Sequence, residues 1–356
     1  MVDLYHSIYD GEVFKASDCI WQENTFVDFI RSQLKLLGYH SVSYNNKVWR
    51  RGQRTVVVCV VDDYATCRSD HSVSMPYAFD ANTVVITDNW VGVPTQYKVC
   101  QLPHSFFGIY SHQPQLNKWQ PDRRFNFSVN RIDTKRMLLM LEIWHRCRLM
   151  PQADQLDYVN FNCWSWSGDN ATKSELERNF ELQWQALESQ YQELYKPCYD
   201  ELRPRMPWRN HNLDHEQQHV SAWINVVAET YSSDTTVALS EKLFRALCLP
   251  VPWIVYSGKH TVAYLASLGF DVLADVVSHD YDSLIENRTA AYGDKLVDFV
   301  YAGAEAVTRM QQQDFDTVRS RCEAAAQHNQ QLLATMRARW PSDLAAWLPG
   351  LIQQIQ

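Results

Sequence analysis

The segment around residue 215 has the residue types and the spacing of a zinc-binding helix. His215, Glu216 and His219 form the pattern H-E-x-x-H, and His211 extends the stripe by one further turn. On a helix, the two histidines of this pattern share one face, where they can bind Zn²⁺ while the glutamate acts as a general base. The pattern predicts, as one alternative, the metal site of a zinc metalloprotease.

The surroundings of this motif favour a simpler interpretation. Arg, Asn and Asp residues crowd its N-terminal side, whereas a metalloprotease helix of this kind is usually buried and apolar. The G-x-x-H extension of the metzincins is missing, and a helix here would run directly into the apolar strand at 226–227. A third zinc ligand would have to come from Glu229 or Glu241. We therefore favour an exposed polar helix or loop with neighbouring histidines, and keep the metalloprotease as the alternative function.

Acidic side chains follow two apolar runs in the first part of the chain. Asp62 and Asp63 come after the run 55–61, and Asp88 follows the run 81–87. Short, unbroken β-branched runs are typical of strands that are covered on both faces, as in parallel sheets. Because ligands bind at the carboxyl ends of such strands, these aspartates lie where chemistry is expected. The alternative is that each aspartate only begins a turn.

The length and composition indicate a globular protein of two ordinary domains. The chain has 356 residues, of which 46% are hydrophobic and 21% charged, which is enough for a packed core. Its net charge of −8 excludes a uniformly basic surface for nucleic acid, although two local clusters of arginine and lysine remain, at 50–54 and 123–136.

The cysteines and the absence of long apolar runs indicate a reducing, aqueous compartment. The nine cysteines are odd in number and form no C-x-x-C pair, so we expect buried free thiols rather than disulfides or a cysteine-rich zinc site. The N-terminus lacks the features of a signal peptide, and no run of 18 apolar residues occurs. These observations predict a cytoplasmic protein without membrane insertion, in the host cytoplasm if the protein is viral.

Strands and helices alternate through both halves of the sequence, which predicts an α/β fold. Beyond the two early runs, strands are expected at 125–130, 158–162, 222–230 and 250–256, and helices at 25–37, 135–148, 173–202, 241–247 and 261–268. Gly38 and Gly269 are expected to end helices, and Thr134 to cap the helix at 135–148. The terminal segment is expected to form one helix at about 315–336 and another after Pro341. This alternation predicts two Rossmann-like lobes that face each other across a cleft. The predicted boundaries are 1–120 for the first lobe, 121–310 for the second, and 311–356 for terminal helices that pack back across the lobes.

The segment from 225 to 282 carries the most specific pattern. It contains A-L-S-E-K-L-F-R-A-L, then P-V-P-W-I-V-Y, then Y-L-A-S-L-G-F-D-V. This order resembles the donor-binding lobe of fucosyltransferase-like GT-B glycosyltransferases, and it is similar to predicted glycosyltransferases of tailed phages. The resemblance covers the second lobe well and the first lobe hardly at all. It implies an enzyme that uses a nucleotide-sugar, such as a UDP- or GDP-sugar, as its donor.

The residue types in this segment suit the grip of a diphosphate. Ser240 caps a helix that begins with Glu241 and Lys242, so helix N–H groups and a cation come together. The resemblance implies that Arg131 or Arg136, in the segment F-N-F-S-V-N-R-I-D-T-K-R, adds a clamp on the diphosphate. Glu229, near the end of the strand expected at 222–230, and Tyr231, just after it, are further candidates for binding the donor. Glu229 or Glu241 would accept hydrogen bonds from ribose or sugar hydroxyls.

The expected reaction needs neither a metal nor another cofactor. Neither D-D at 62–63 nor D-Y-D at 280–282 is interpreted as a metal clamp, so lysine and arginine take that role. An inverting transfer needs a base for the acceptor hydroxyl, and the candidates are Asp62, Asp63 and Asp88, with His104 and Glu23 left open.

The acceptor is predicted less specifically than the donor. The phage-like resemblance favours a hydroxymethylated pyrimidine in double-stranded DNA. The alternative is a glycan, a lipid-linked sugar or a protein hydroxyl.

Overall fold

The chain divides into two compact units in a computed structural model. The first unit comprises residues 1–112 and 333–356, and the second comprises residues 113–332. The structure describes residues 30–42, 48–59, 81–87, 90–91, 98–101, 118–129, 133–149, 159–163, 173–205, 219–229, 236–237, 239, 241–284 and 293–356. The boundaries predicted from the sequence stay a prediction.

The first unit is built around a five-stranded mixed sheet. Its strands are β1 (His40–Ser41), β2 (Val48–Arg51), β3 (Arg54–Cys59), β4 (Thr83–Thr87) and β6 (Lys98–Gln101), in that spatial order, and β5 (Trp90–Val91) lies between β4 and β6 in sequence. The pairs β1–β2 and β2–β3 are antiparallel, while β3–β4 and β4–β6 are parallel. The apolar runs that the sequence predicts as strands therefore form adjacent parallel strands.

The last residues of the chain complete the core of the first unit. Leu351 and Ile355 are buried with the apolar side chains of β3 and β4 and of the helix at 30–36. The Tyr39 hydroxyl donates a hydrogen bond of 2.7 Å to the Ile355 carbonyl oxygen. The Cys100 thiol lies 3.0 Å from the Gln354 side-chain oxygen. These contacts fix the C-terminal turns against the sheet.

The second unit contains a four-stranded parallel sheet. Its strands are β7 (Arg123–Val129), β8 (Val159–Cys163), β9 (Ala222–Ala228) and β11 (Trp253–Tyr256), and their spatial order is β11-β9-β7-β8. A further short strand, β10 (Thr236–Val237), follows β9 in sequence. In this register Asn126 of β7 lies beside Asn225 of β9, and Trp253 of β11 lies on the other side of Asn225.

Besides the helix at 30–36 and two short 3₁₀ helices, Arg203–Arg205 and Asp280–Ser283, the described residues form seven complete α-helices. They are α1 (Thr134–Leu149), α2 (Lys173–Gln185), α3 (Ser189–Leu202), α4 (Glu241–Cys248), α5 (Thr261–Ser267), α6 (Gly293–Gln312) and α7 (Phe315–Ile355). Helices α1 and α6 pack together, and α6 also lies on β9 and β11. On this face the apolar residues of β7, β9 and β11, including Phe125, Ile224 and Ile254, form the main core with α1 and α6.

The α/β class predicted from the sequence is confirmed, and three helix ends differ from the prediction. The helix expected at 173–202 is two helices, because residues 186–188 interrupt it. Helix α7 continues through Pro341, where the sequence predicts a break. A proline inside a helix costs about 3 kcal/mol, and the burial of the last turns in the first unit offsets that cost. The cap of α1 is Asp133 rather than Thr134, since Asp133 Oδ1 accepts the Arg136 N–H at 2.8 Å.

Five cysteines whose side chains the structure describes are free thiols in the core, as the sequence predicts. Cys100, Cys147, Cys198, Cys248 and Cys322 are buried and free. Burial raises the pKa of the Cys147 thiol to about 12, so it stays protonated at neutral pH. No helix among the described residues has the length and apolar character needed to cross a membrane.

Candidate functional site

The carboxyl edge of the second sheet contains a topological switch point. The chain passes from β7 to β8 on one side, and then returns beyond β7 to β9 and β11 on the other side. The connections that leave β7 and β9 therefore diverge. In open α/β sheets, ligands bind in the crevice at such a point, outside the carboxyl ends of the strands.

Lys135 crosses this edge from the side of β7. It is the second residue of α1, the helix that follows β7. Its Nζ donates a hydrogen bond of 3.1 Å to the backbone oxygen of Glu229, directly after β9. The same ammonium lies 5.2 Å from the centre of the Tyr256 ring, at the end of β11. The half-buried ammonium of Lys135, on the helix that follows β7, thus contacts groups at the ends of two other strands, β9 and β11.

Glu229 is a buried carboxylate at the end of β9. The residue as a whole is only 2% exposed. Its backbone N–H donates a hydrogen bond of 3.0 Å to the backbone carbonyl oxygen of Tyr256, which extends the β9–β11 pairing by one residue. The sequence predicts this residue as an acceptor for sugar or ribose hydroxyls, and the structure places it beside Lys135.

Arg136, the next residue along α1, forms an ion pair within the helix start and not a contact across the sheet edge. Its guanidinium lies 3.3 Å from the Asp133 carboxylate, and its side chain is 4% exposed. The same aspartate caps α1 through the Arg136 backbone N–H. Arg136 is therefore built into the first turn of α1, and its predicted role as a diphosphate clamp stays a prediction.

Helix α4 brings Lys242 to the second sheet. The buried residues Leu243, Phe244 and Leu247 form its apolar side, and the helix packs on β9 and β11. Lys242 lies in its first turn and is partly buried. A helix start provides N–H donors and the positive end of the helix dipole, which suit a phosphate group.

Most of the other predicted site residues belong to parts of the chain outside the described ranges. Asp62, Asp63, Asp88, Arg131, Tyr231, Ser240, His215 and Glu216 lie outside the described residues, as do His211, His104 and Glu23. Glu241 begins α4, but only its backbone is described. Their roles stay predictions.

His219 of the H-E-x-x-H pattern belongs to a buried cluster with two amides. Its Nδ1 lies 2.9 Å from Asn225 Oδ1 and 3.0 Å from Asn126 Nδ2, and Asn126 Nδ2 also donates to Asn225 Oδ1 at 3.0 Å. Both asparagines are fully buried. The exposed polar setting favoured for the motif is therefore wrong for His219, because the strand register brings both asparagines beneath it. Within the described part of the chain, no three His, Cys, Asp or Glu residues are grouped as metal ligands.

Asp282 of the D-Y-D run has a structural task. Its Oδ2 accepts hydrogen bonds from the backbone N–H groups of Val262 at 3.0 Å and Ala263 at 3.1 Å. The residue is 6% exposed. This carboxylate caps α5 from a position that lies some twenty residues further along the chain, so the first turn of α5 is already occupied by an anion.

His279 lies next to the D-Y-D run at 280–282, and its burial is expected to make the stability of the second unit depend on pH. Its Nε2 lies 2.8 Å from the Val272 carbonyl oxygen, so Nε2 carries the proton and Nδ1 accepts from the Tyr281 hydroxyl at 2.9 Å. Burial lowers the pKa of the imidazole from its ordinary value of 6.5, against the opposing effect of Asp282 and Asp280. The neutral form is therefore the form that the folded protein holds.

We expect the protein to lose stability as the pH falls below 6.5, the ordinary pKa of a histidine. Above that pH His279 is neutral in both states; below it the unfolded chain takes up the proton first, which favours unfolding. Urea unfolding at about pH 8 and about pH 5 measures the effect. His279→Gln should show a smaller loss than the wild type, whereas His328→Gln, at an exposed position, should not. Equal losses in the wild type and in His279→Gln would contradict this assignment.

The chain gives no match to protein-family models or to characterised proteins, so its function is argued from the site itself.

Proposed function

We propose that the protein is a glycosyltransferase that moves a sugar from a nucleoside-diphosphate sugar to an acceptor hydroxyl. One observation carries the proposal: Lys135 contacts Glu229 and Tyr256 at the carboxyl edge of the second sheet. Helix α4 joins the parallel strands β9 and β11, so it begins on the side of that same edge. This edge has a switch point, a buried carboxylate and a helix start with a cation. A two-lobed GT-B architecture, with the donor held by the second unit, belongs to the same proposal.

The residue types at this edge suit the chemistry of the donor. When the sugar leaves, negative charge grows on the diphosphate, and prearranged cations and N–H groups stabilise that charge. Lys242 and the N-terminus of α4 provide both without a metal ion. Glu229 accepts hydrogen bonds from hydroxyls of the ribose or the sugar. Asp62, Asp63 and Asp88 remain the candidates for the base that deprotonates the acceptor.

The proposed acceptor is a hydroxymethylated pyrimidine in double-stranded DNA. DNA binding releases counterions, so acceptor affinity should fall steeply as the salt concentration rises. A small glycan acceptor, which is the alternative, would give a shallow dependence. Measuring transfer to modified DNA and to free glycans over a range of salt therefore separates the two acceptor classes.

We expect one nucleoside diphosphate to bind the wild-type protein and to bind Lys242→Ala at least about tenfold more weakly. The lost interaction is a charge-assisted hydrogen bond, which contributes about 1.5 to 3 kcal/mol. Calorimetric titration with UDP, GDP and CMP measures the affinity, and thermal denaturation shows whether the variant is folded. Lys196→Ala, on the exposed side of α3, is the matched control, since it removes the same charge elsewhere.

Three results would count against the proposal or against one of its residues. If no nucleotide binds the wild type, the carboxyl edge is not a donor site. If a chelator also lowers the melting temperature, the zinc metalloprotease with His215 and His219 becomes the leading function. Binding that is equal in the wild type and in Lys242→Ala would remove Lys242 from the site.

A further inference from the structure

The side chain of Lys135 is held across the switch point before any ligand binds. Its ammonium group donates to the carbonyl oxygen of Glu229 and lies over the face of the Tyr256 ring. An aromatic face attracts a cation through its quadrupole. A lysine side chain normally loses much rotamer freedom when it binds a ligand. Here these two contacts already restrict the Lys135 side chain, so it loses less rotamer freedom when a ligand binds.

Three basic side chains of the second unit, those of Arg136, Lys242 and Lys135, differ in their contacts and in the element that carries them. Arg136 is paired with Asp133 and is buried in the first turn of α1. Lys242 belongs to α4, on the β9 and β11 side of the switch point. Lys135 comes from the β7 side and reaches the ends of β9 and β11. Among these three, Lys135 is therefore the cation whose described contacts join the two sides of the switch point.

We propose that Lys135 binds the diphosphate of the donor directly, and that the Glu229 carbonyl and the Tyr256 ring position its ammonium for this contact. The inference rests on the proposed function and adds to it a second cation, Lys135, to which the sequence pattern gives no role. An ammonium has three N–H donors, so it can keep its contact with the Glu229 oxygen while donating to phosphate oxygens. With Lys242, the site then holds one lysine from each side of the switch point.

The test compares Lys135→Met with a matched variant of another lysine. Lys196 is the control lysine, because its Nζ also contacts an oxygen and an aromatic ring: it donates to Asp200 Oδ2 at 2.6 Å and lies 6.0 Å from the centre of the Tyr199 ring. Lys196 lies on α3, outside the switch point. Lys135→Met should fold normally, since removing a cation from the first turn of a helix does not oppose the helix dipole. Thermal denaturation checks this, and Lys135→Gln provides a second variant.

The measured quantities are the affinities for UDP or GDP and for inorganic pyrophosphate, at low and at moderate salt. We expect both diphosphates to bind Lys135→Met at least about tenfold more weakly, with a shallower salt dependence because one screened attraction is lost. Lys196→Met should bind as the wild type does. A purely structural role for Lys135 would change the melting temperature but would not change pyrophosphate binding at a temperature where the variant is folded.

The outcomes separate this inference from the proposed function. If the wild type binds a nucleoside diphosphate and folded Lys135→Met and Lys135→Gln bind it within about twofold, then Lys135 does not contact the diphosphate, while the donor site stands. If the wild type binds no diphosphate, the proposed function fails and the inference fails with it. Weakening that is equal in Lys135→Met and Lys196→Met would show a general effect of charge and would also overturn the inference.

Discussion

Asn329→Ala should lower the free energy of unfolding by about 3 kcal/mol. Asn329 is buried, and its amide makes three hydrogen bonds from the N-terminal half of α7. Its oxygen accepts the Asp271 N–H at 2.8 Å, and its nitrogen donates to the carbonyl oxygens of Leu247 and Asp271, each at 2.9 Å. Alanine removes all three and leaves buried backbone groups unsatisfied. Urea unfolding at neutral pH measures the loss.

The exposed neighbour Gln327 provides the control for this variant. Gln327→Ala lies on the same helix, and the residue is exposed, so its effect should stay within about 0.5 kcal/mol. A loss for Asn329→Ala of the same small size would show that the three hydrogen bonds contribute little. The result also bears on the proposed site, because Leu247 is the last residue but one of α4, and Gln330 donates to the next carbonyl, that of Cys248, at 2.8 Å. Helix α4 is thus fixed at the end opposite Lys242.

Gly303→Val should destabilise the second unit by about 2 to 3 kcal/mol through overpacking. A Cβ atom at Gly303 would lie 2.8 Å from Ile254 Cδ1 and 3.0 Å from Phe125 Cε1. Both side chains are fully buried, so neither can move away without disturbing the core. The branched valine adds two methyl groups to this conflict. Denaturant unfolding, with near-UV circular dichroism to follow the aromatic core, measures the effect.

Another glycine in a helix separates overpacking from helix propensity. At Gly350 of α7 an added Cβ would meet no atom within 4 Å, and the residue is exposed. Gly350→Ala should therefore stabilise the protein slightly, because alanine favours a helix by about 1 kcal/mol over glycine. If Gly303→Val were as stable as the wild type, α6 could not lie as close to the sheet as the structure places it.

The strands of the fold were predictable because their signals are local. The run from Thr55 to Cys59 and the run from Ala222 to Ala228 are rich in apolar and β-branched residues. Each forms a strand with parallel neighbours, which are β4 for the first and β7 and β11 for the second. The helix stops at Gly38 and Gly269 were predictable for the same reason, since both residues have positive φ values of 81° and 94°.

The parts that the sequence did not reveal depend on which strands are neighbours. Lys135 and Glu229 are 94 residues apart, and they meet only because β9 lies beside β7. The register of the same pair brings Asn126 to Asn225 and places His219 against both. Local patterns set the elements, but they do not give the order of strands in a sheet. A cation on the second residue of the helix after β7 was the one signal that could have pointed to Lys135.

The division of α7 between the two units has a consequence for synthesis on the ribosome. Residues 113–332 form a unit that is complete before the end of the chain is translated, whereas residues 1–112 share their core with Leu351 and Ile355. The core of the first unit is therefore completed only after residues 333–356 have been translated, whereas the second unit can fold while it emerges from the ribosome. A premature stop after residue 332 would thus damage the N-terminal unit more than the unit in which the chain is cut.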